Sequence, residues 1–447
     1  MAPNLPSGDR ARPAGEPDER LTEQDVSRLW YEGGFARNGM RTRCGRRVRV
    51  LYRGLPNGDR GPDYRGAVLS VGRSRPRAGD IELHVRASQW RTHGHQRDPE
   101  YNGVILHVVW QDDDPSPTVL HSGRQVPVLA LSDVITPNGP ARLIIDPCHG
   151  AGHDLRRLGM VLDRAGQERF LGKASRMEGD MAAFPAQEVL YQSLAESMGY
   201  SQNKTPFRRL AAALPLGVVE GFLLGKPLDQ KQALAQALLL GTAGLLPSQR
   251  HRPAGDEWPA LLEETWSSHG LEPQLRAADW RHGVRPENHP VRRLAALANL
   301  LAATLEEGLL SWALAAVADP GALFRETVER ESYWHRHFDF GLTGHRLGPA
   351  LIGPDRALVI ASNVILPFAY AFGQSWDDER LSQEALQSYA LVPSPALNQV
   401  TRHMILQLGG ASKKGLIRTA RREQGLLHLF HSYCTRARCT ECGLSAL

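Results

Sequence analysis

Long apolar runs are missing from this chain. In 447 residues no hydrophobic stretch reaches the ~18 positions a membrane span needs. Residues 1–20 carry no signal-peptide core; they are rich in Pro, Gly, Asp and Arg, the composition of a disordered tail. Cysteine is scarce, with five in the chain and three of those near its C-terminal end. So few exclude a disulfide scaffold, and their clustering points to metal. No repeat period recurs, so the chain does not read as a solenoid. What is present is 42% hydrophobic residues, enough for real cores, over a length that suits two or three domains. The expectation is a soluble cytoplasmic protein with no membrane partner.

Net charge is +5 and the isoelectric point is near 9.0. Its distribution says more than its size. Arg37, Arg41, Arg43, Arg46, Arg47, Arg49, Arg53 and Arg60 fall in one stretch, offset there only by Asp59. Arginine neutralises phosphates, so this reads as a basic approach for a nucleic acid, DNA or RNA. Arginine is also frequent along the whole chain, and a compositional origin stays open.

The next fifty residues gather chemistry. Asp80-Ile81-Glu82-Leu83-His84-Val85 alternates polar with apolar, the period of a half-buried strand. Ile81, Leu83 and Val85 then face the core, and Asp80, Glu82 and His84 share the other side. Asp63 heads the strand-like run Ala67–Val71, and a hairpin through Gly72, Pro76 and Gly79 brings it beside Glu82. Two converging carboxylates repel unless a cation sits between them. Mg2+ or Mn2+ suits oxygen ligands, polarises a phosphoryl oxygen and activates water. His93-x-His95-x-x-Asp98 follows, with Tyr101 beyond it. Paired histidines at this spacing suit transition metals, or they orient phosphate as donors. His107 lies in the doubly buried run Val104–Trp110 and reads as a hydrogen-bonded core residue.

Pro62-Asp63 followed by Glu82-Leu83-His84 resembles the PD-(D/E)XK nuclease signature. That resemblance implies Asp63 and Glu82 as Mg2+ ligands, with His84 standing where the family has lysine. His84 then ligates metal, accepts a proton or marks a site that has lost activity. Further blocks carry a second resemblance. They are Gly61-Pro62-Asp63-Tyr64, Ile81-Glu82-Leu83-His84-Val85, Ser88-x-Trp90-x-x-His93-Gly94-His95, Gly199-Tyr200-Ser201-Gln202-Asn203-Lys204, Arg285-Pro286-Glu287-Asn288-His289-Pro290 and Gln424–Phe430. Together with Cys434-x4-Cys439-x2-Cys442, they closely resemble the bacterial domain of unknown function 2851 family, from about residue 22 to the end. The resemblance implies membership and carries no established activity.

The expected fold class is α+β. Residues 1–20 form a tail and 21–150 a mixed-sheet, PD-(D/E)XK-like core. Residues 151–425 form a large all-α domain, and 426–447 a Cys-rich metal knuckle. A capping-box-like start at Thr22 opens a first helix, whose Glu32 is a candidate third acid. Strands are expected at 48–52, 67–71, 81–85 and 104–110, with further strand-like runs at 118–121 and 126–131 and a linker at 137–152. In the helical region, Asn203–Arg209 and Arg285–Arg293 either touch phosphate or cap helices. In the tail, His431, Cys434, Cys439 and Cys442 form a Cys3His zinc set. An iron–sulfur cluster is the other reading, with Cys148 or Cys44 as the fourth ligand.

Two functional readings follow. In one, the protein is a metal-dependent nuclease using Asp63 and Glu82, with His84, His93, His95, Asp98 and Tyr101 around them. In the other, it is a non-catalytic nucleic-acid-binding or scaffolding protein on an inactive core. A weaker reading makes His93-x-His95-x-x-Asp98 the centre of an unrelated metallohydrolase.

Overall fold

A computed structural model describes residues 21–32, 39–57, 60–134, 148–253, 255–321, 332–344, 350–409, 415–436 and 438–447. The tail at 1–20, Arg37, Asp59 and most of the 137–152 linker lie outside them. The chain divides into two compact units. One comprises residues 1–147 with 433–438, the other residues 148–432 with 439–447. The class is α+β, a mixed sheet followed by a helical region.

The first unit is built on strands β1 (Met40–Arg41), β2 (Arg47–Tyr52), β3 (Leu55–Pro56), β4 (Tyr64–Val71), β5 (Arg77–Arg86) and β6 (Val104–Gln111). A small antiparallel pair, β7 (Thr118–Val119) and β8 (Gln125–Val126), flanks a turn at Ser122-Gly123; β9 (Val128–Ala130) returns to the main sheet. The main order is β1-β2-β4-β5-β6-β9, with β3 also paired to β4. Strands β1 to β5 run antiparallel; β6 is parallel to β5, and β9 to β6. A parallel pair needs a crossover connection. Here residues 87–103 supply it as one helical turn, α2 (Gln89–Thr92), and two 3-10 turns, His95–Arg97 and Pro99–Gly103. That is shorter than a full second helix.

Alternation decides what each sheet face meets. Val48, Val50, Leu69, Ile81, Leu83, Leu106 and Val108 pack under α1 (Glu23–Glu32) through Val26 and Trp30. The expected opening cap forms: Thr22 and Asp25 exchange side-chain-to-backbone hydrogen bonds of 3.0 and 3.3 Å. On the other face, Trp90, Tyr101, Val104, Leu120 and Val126 make a small second core. The crossover therefore roofs the face carrying Glu82 and His84, which are 5% and 1% exposed. Strand periodicity assigned the face correctly, but period alone does not report what covers it. Asp80 leaves this polar set: it accepts from Gly66 N–H (3.0 Å), where a register shift interrupts the β4–β5 ladder.

The second unit is helical. Its longest helix, α3 (Leu155–Met181), lies against the helix Ala420–Ser432. Leucine- and alanine-rich faces from Ala186–Met198, Leu228–Thr242 and Pro290–Thr304 fill its main core. Among the described residues one helix, Pro354–Ser375, is long and apolar enough to cross a membrane, and 67% of its apolar window is buried within the protein. The chain's final cysteines follow a helix that stops at Ser432. Cys434 begins a 3-10 turn that packs on β2, β4 and β5 of the first unit.

Candidate functional site

The register of β4 against β5 pairs Tyr64 with Ile81, and this sets Asp63 beside Glu82. The two acids lock reciprocally. Glu82 Oε2 accepts from the Asp63 backbone N–H at 3.0 Å, and Asp63 Oδ2 accepts from Leu83 N–H at 2.9 Å. One oxygen of each carboxylate is thereby tied to backbone, which leaves Glu82 Oε1 for other work.

That oxygen faces histidines. His95 Nε2 is 3.2 Å and His84 Nε2 3.7 Å from Glu82 Oε1. His84 Nε2 lies 3.3 Å from His95 Nε2 and 3.2 Å from His93 Nδ1. His84, His93 and His95 each offer a ring nitrogen, all within 4.8 Å of one another. A tetrahedral ion with nitrogen bonds of ~2.0–2.1 Å spaces neighbouring donors by ~3.3 Å. The three imidazole nitrogens are close enough to share a single transition-metal ion, and Glu82 Oε1 lies beside two of them. The acids on which the Mg2+ expectation was placed thus stand beside a cluster of three imidazoles, which strand and crossover bring together.

Behind His84 runs a buried relay. His84 Nδ1 is 2.9 Å from His107 Nε2, and His107 Nδ1 is 3.0 Å from Thr118 Oγ1. If His107 donates from Nδ1 to Thr118, its Nε2 accepts from His84 Nδ1. His84 Nε2 is then a free lone pair turned toward His93 and His95. His107 is a core residue, as its surrounding run suggested, and its hydrogen bonds are made to the site.

Electrostatics agree with the donor set. Burial, then the charges of His107, His95 and His93, hold His84 down to about 2. Burial likewise holds His107 down to about 3 and lowers His95. All three rings are thus neutral, the ligating form. Burial and then Glu82 push Asp63 up to about 7, and burial pushes Glu82 up to about 8. Carboxylates raised this far are short of positive charge, and a dication among them reverses the shift.

The remaining candidates divide. Tyr101 stacks on His95 with ring centroids 3.9 Å apart, and burial followed by the charges of Glu82, Asp63 and Asp98 disfavours its ionisation. Asp98 serves the loop: it accepts from Glu100 N–H at 3.0 Å and pairs with Arg60 at 3.3 Å. His93 is exposed and forms the mouth of the site. The helix acid at the site is Glu23, whose Oε1 is 4.0 Å from His93 Nδ1. Glu32 closes the opposite end of α1, about 13 Å along the axis at ~1.5 Å per residue. Glu23 was legible only as part of a helix start, and nothing in the sequence tied that start to His93.

The basic stretch does not form one patch. Arg43 is bound by Asp112, Arg53 is buried beside the Tyr31 ring, and Arg60 is paired with Asp98. Arg41, Arg46, Arg47 and Arg49 stay exposed on β1, β2 and their turn. In the helical unit, Asn203 and Arg281 exchange two hydrogen bonds, of 3.0 and 2.8 Å. Arg292 and Arg293 donate to backbone carbonyls, including those of Trp334 and Leu351. These motif residues hold the fold together.

The site and fold define an α+β protein with a His-rich candidate metal centre. The chain belongs to the family described as protein of unknown function (DUF2851), whose model matches residues 23–396. The match stops short of the C-terminal blocks that contributed to the resemblance. No curated protein and no solved structure matches the chain.

Proposed function

We propose that this protein is a metal-dependent hydrolase of phosphodiester bonds, acting on nucleic acid. The observation that carries the reading is the clustering of His84, His93 and His95, with Glu82 beside His95 and Asp63 beside Glu82. A dication held there polarises a phosphoryl oxygen and activates water for attack. The chain's own residues do the rest. His107 and Thr118 fix the orientation of His84, and Trp90 and Tyr101 wall the rings off from bulk water. Asp63, tied through Oδ2 to Leu83 N–H, stands beside Glu82 at the edge of the donors. Exposed Arg46 and Arg47 supply positive charge for a polyanion.

The PD-(D/E)XK reading draws support from the order of elements. One helix, an antiparallel β2-β4-β5 set, a polar connection and then β6 is the order expected of that core, with the acids at the head of β4 and within β5. The donor set favours Mn2+ or Zn2+ over Mg2+, since imidazole is a borderline ligand and Mg2+ prefers oxygen.

The test is cleavage of labelled single- and double-stranded DNA and RNA with Mn2+, Zn2+ or Mg2+. His95→Ala and Glu82→Gln are expected to lower the rate at least ~100-fold, with oligonucleotide affinity retained. Full activity in both variants sinks the proposal. Tight binding without turnover in any metal moves the protein to the non-catalytic reading.

A further inference from the structure

Two cations of the helical unit share one neutral oxygen. Arg169 and Lys173 stand one turn apart on α3, a spacing that brings side chains together and, for like charges, costs stability. Arg169 Nε and Lys173 Nζ each donate to Gln424 Oε1 at 2.9 Å. That common acceptor brings a guanidinium and an ammonium within reach of one small anion. Gln424 is 3% exposed and opens the Gln424–Phe430 block, which the site on the sheet does not use.

An irregular turn supplies the other side of the cluster. The helix Pro354–Ser375 widens into a π turn at Ala361–Ile365, a feature frequent at functional sites. Within it, Asn363 Nδ2 donates to Val359 O at 2.7 Å and to Ser362 Oγ at 3.2 Å, and Asn363 Oδ1 accepts from Lys173 Nζ.

No acid answers the two charges. Among the described residues neither cation forms an ion pair. The nearby acids of α3 are engaged elsewhere, Asp163 with Arg421 and Arg422, Glu168 with Arg164 and His428. Glu423 turns both oxygens to amides, Oε1 to Asn398 Nδ2 and Oε2 to Gln424 Nε2, each at 3.1 Å. Burial and then the charge of Arg169 hold Lys173 well below the ordinary lysine range, a shift that a bound anion reverses. Cations withdrawn from water are normally paired. Here donors remain. Arg169 Nη1 and Nη2 make no hydrogen bond among the described residues, and a lysine ammonium has a third N–H beyond its two acceptors. Arg169, Lys173 and Asn363 are each half-buried, so solvent reaches the cluster.

We propose that Arg169 and Lys173, held by Gln424 and Asn363, bind a phosphate-class oxyanion. The guanidinium fork takes two oxygens and the ammonium a third. A carboxylate offers only two oxygens, so the donor count selects phosphate, free or as the end of a small molecule. The site lies within the helical unit and uses no residue of the histidine cluster.

The experiment titrates inorganic phosphate into the full, metal-free chain by calorimetry at ionic strength matched with sodium chloride. About one phosphate per chain is expected. Arg169→Gln and Lys173→Met are expected to weaken binding at least ~10-fold, and Lys226→Ala and His95→Ala to leave it unchanged. A folded native chain that takes up no phosphate overturns the proposal, as does undiminished affinity in either of the first two variants. Acetate bound as tightly as phosphate overturns the choice of anion. Adenosine monophosphate bound more tightly than phosphate identifies the end of a small molecule; equal or weaker binding identifies the free anion.

Amine labelling of the unmutated chain, read by peptide mass spectrometry, guards against variants that fail to fold. Phosphate at about ten times its Kd is expected to slow the reaction of Lys173 ~10-fold. Exposed Lys226 reacts at the same rate throughout. Equal Lys173 rates with and without phosphate also overturn the proposal. None of these readouts depends on hydrolysis, so they stand or fall apart from the proposed activity.

Discussion

His107 hydrogen-bonds to His84 and pairs in register with Glu82, and it bears on what His84 offers. Its Nε2 meets His84 Nδ1 at 2.9 Å, so that with Nδ1–H of His107 turned to Thr118 the lone pair of His84 stands on Nε2. Replacing a partner of this kind costs ~10–100-fold in metal affinity. His107→Ala is expected to weaken Mn2+ or Zn2+ binding by that factor in calorimetric titration; an unchanged Kd would show that the relay does not orient His84. A different buried ring governs acid stability in the helical unit. Burial holds His289 down to about 4, against the opposing charge of Asp339. The unfolded chain, with an ordinary histidine near 6.5, binds the proton more strongly between pH 4 and 6.5. The contribution is therefore fully present above pH 6.5 and lost as pH falls toward 4, a swing on the order of 3 kcal/mol. Thermal melts across that window should show a steeper rise in Tm with pH for the native chain than for His289→Asn. Equal slopes would place the acid sensitivity elsewhere.

At the scale of elements, two glycines make one helix crossing. A Cβ on Gly166 of α3 would overlap the Arg421 carbonyl, and one on Gly425 would overlap the Leu162 carbonyl. Backbones this close leave no space for a methyl group, and overpacking of such a contact costs about 1–3 kcal/mol. Gly172 lies on the same helix with open space around it. Chemical denaturation should therefore show Gly166→Ala and Gly425→Ala destabilised by that amount. Gly172→Ala should gain about 0.5–1 kcal/mol from helix propensity. Loss in all three would mean that the crossing is not special. The crossover 87–103 shows why boundaries were harder to read than strands. Its polar sequence gave no helical period, because it folds as one helical turn and two 3-10 turns roofing the sheet.

At the scale of the whole molecule, charge matters through what remains unpaired. The formal +5 overstates the basic approach, because Arg43, Arg53 and Arg60 are committed internally. Exposed Arg47 on β2 is left to meet a phosphate. Arg47→Ala is expected to weaken oligonucleotide binding uniformly across sequences and to reduce the log–log salt slope by about 1. A slope identical to that of the native chain would remove Arg47 from the nucleic-acid contact.

The sequence by itself determined the α+β class, the longer strands of the main sheet, the face of β5 that carries Glu82 and His84, and the pairing of Asp63 with Glu82. Those depend on local period and turn chemistry, which neighbouring residues fix. Only the tertiary structure decided that the polar face is roofed, that His84, His93 and His95 gather beside Glu82, and that Glu23 is the helix acid near them. The reason is physical: a strand's alternation states which way a side chain points, whereas a ligand set is a coincidence of side chains whose separation in the chain carries no information about their separation in space.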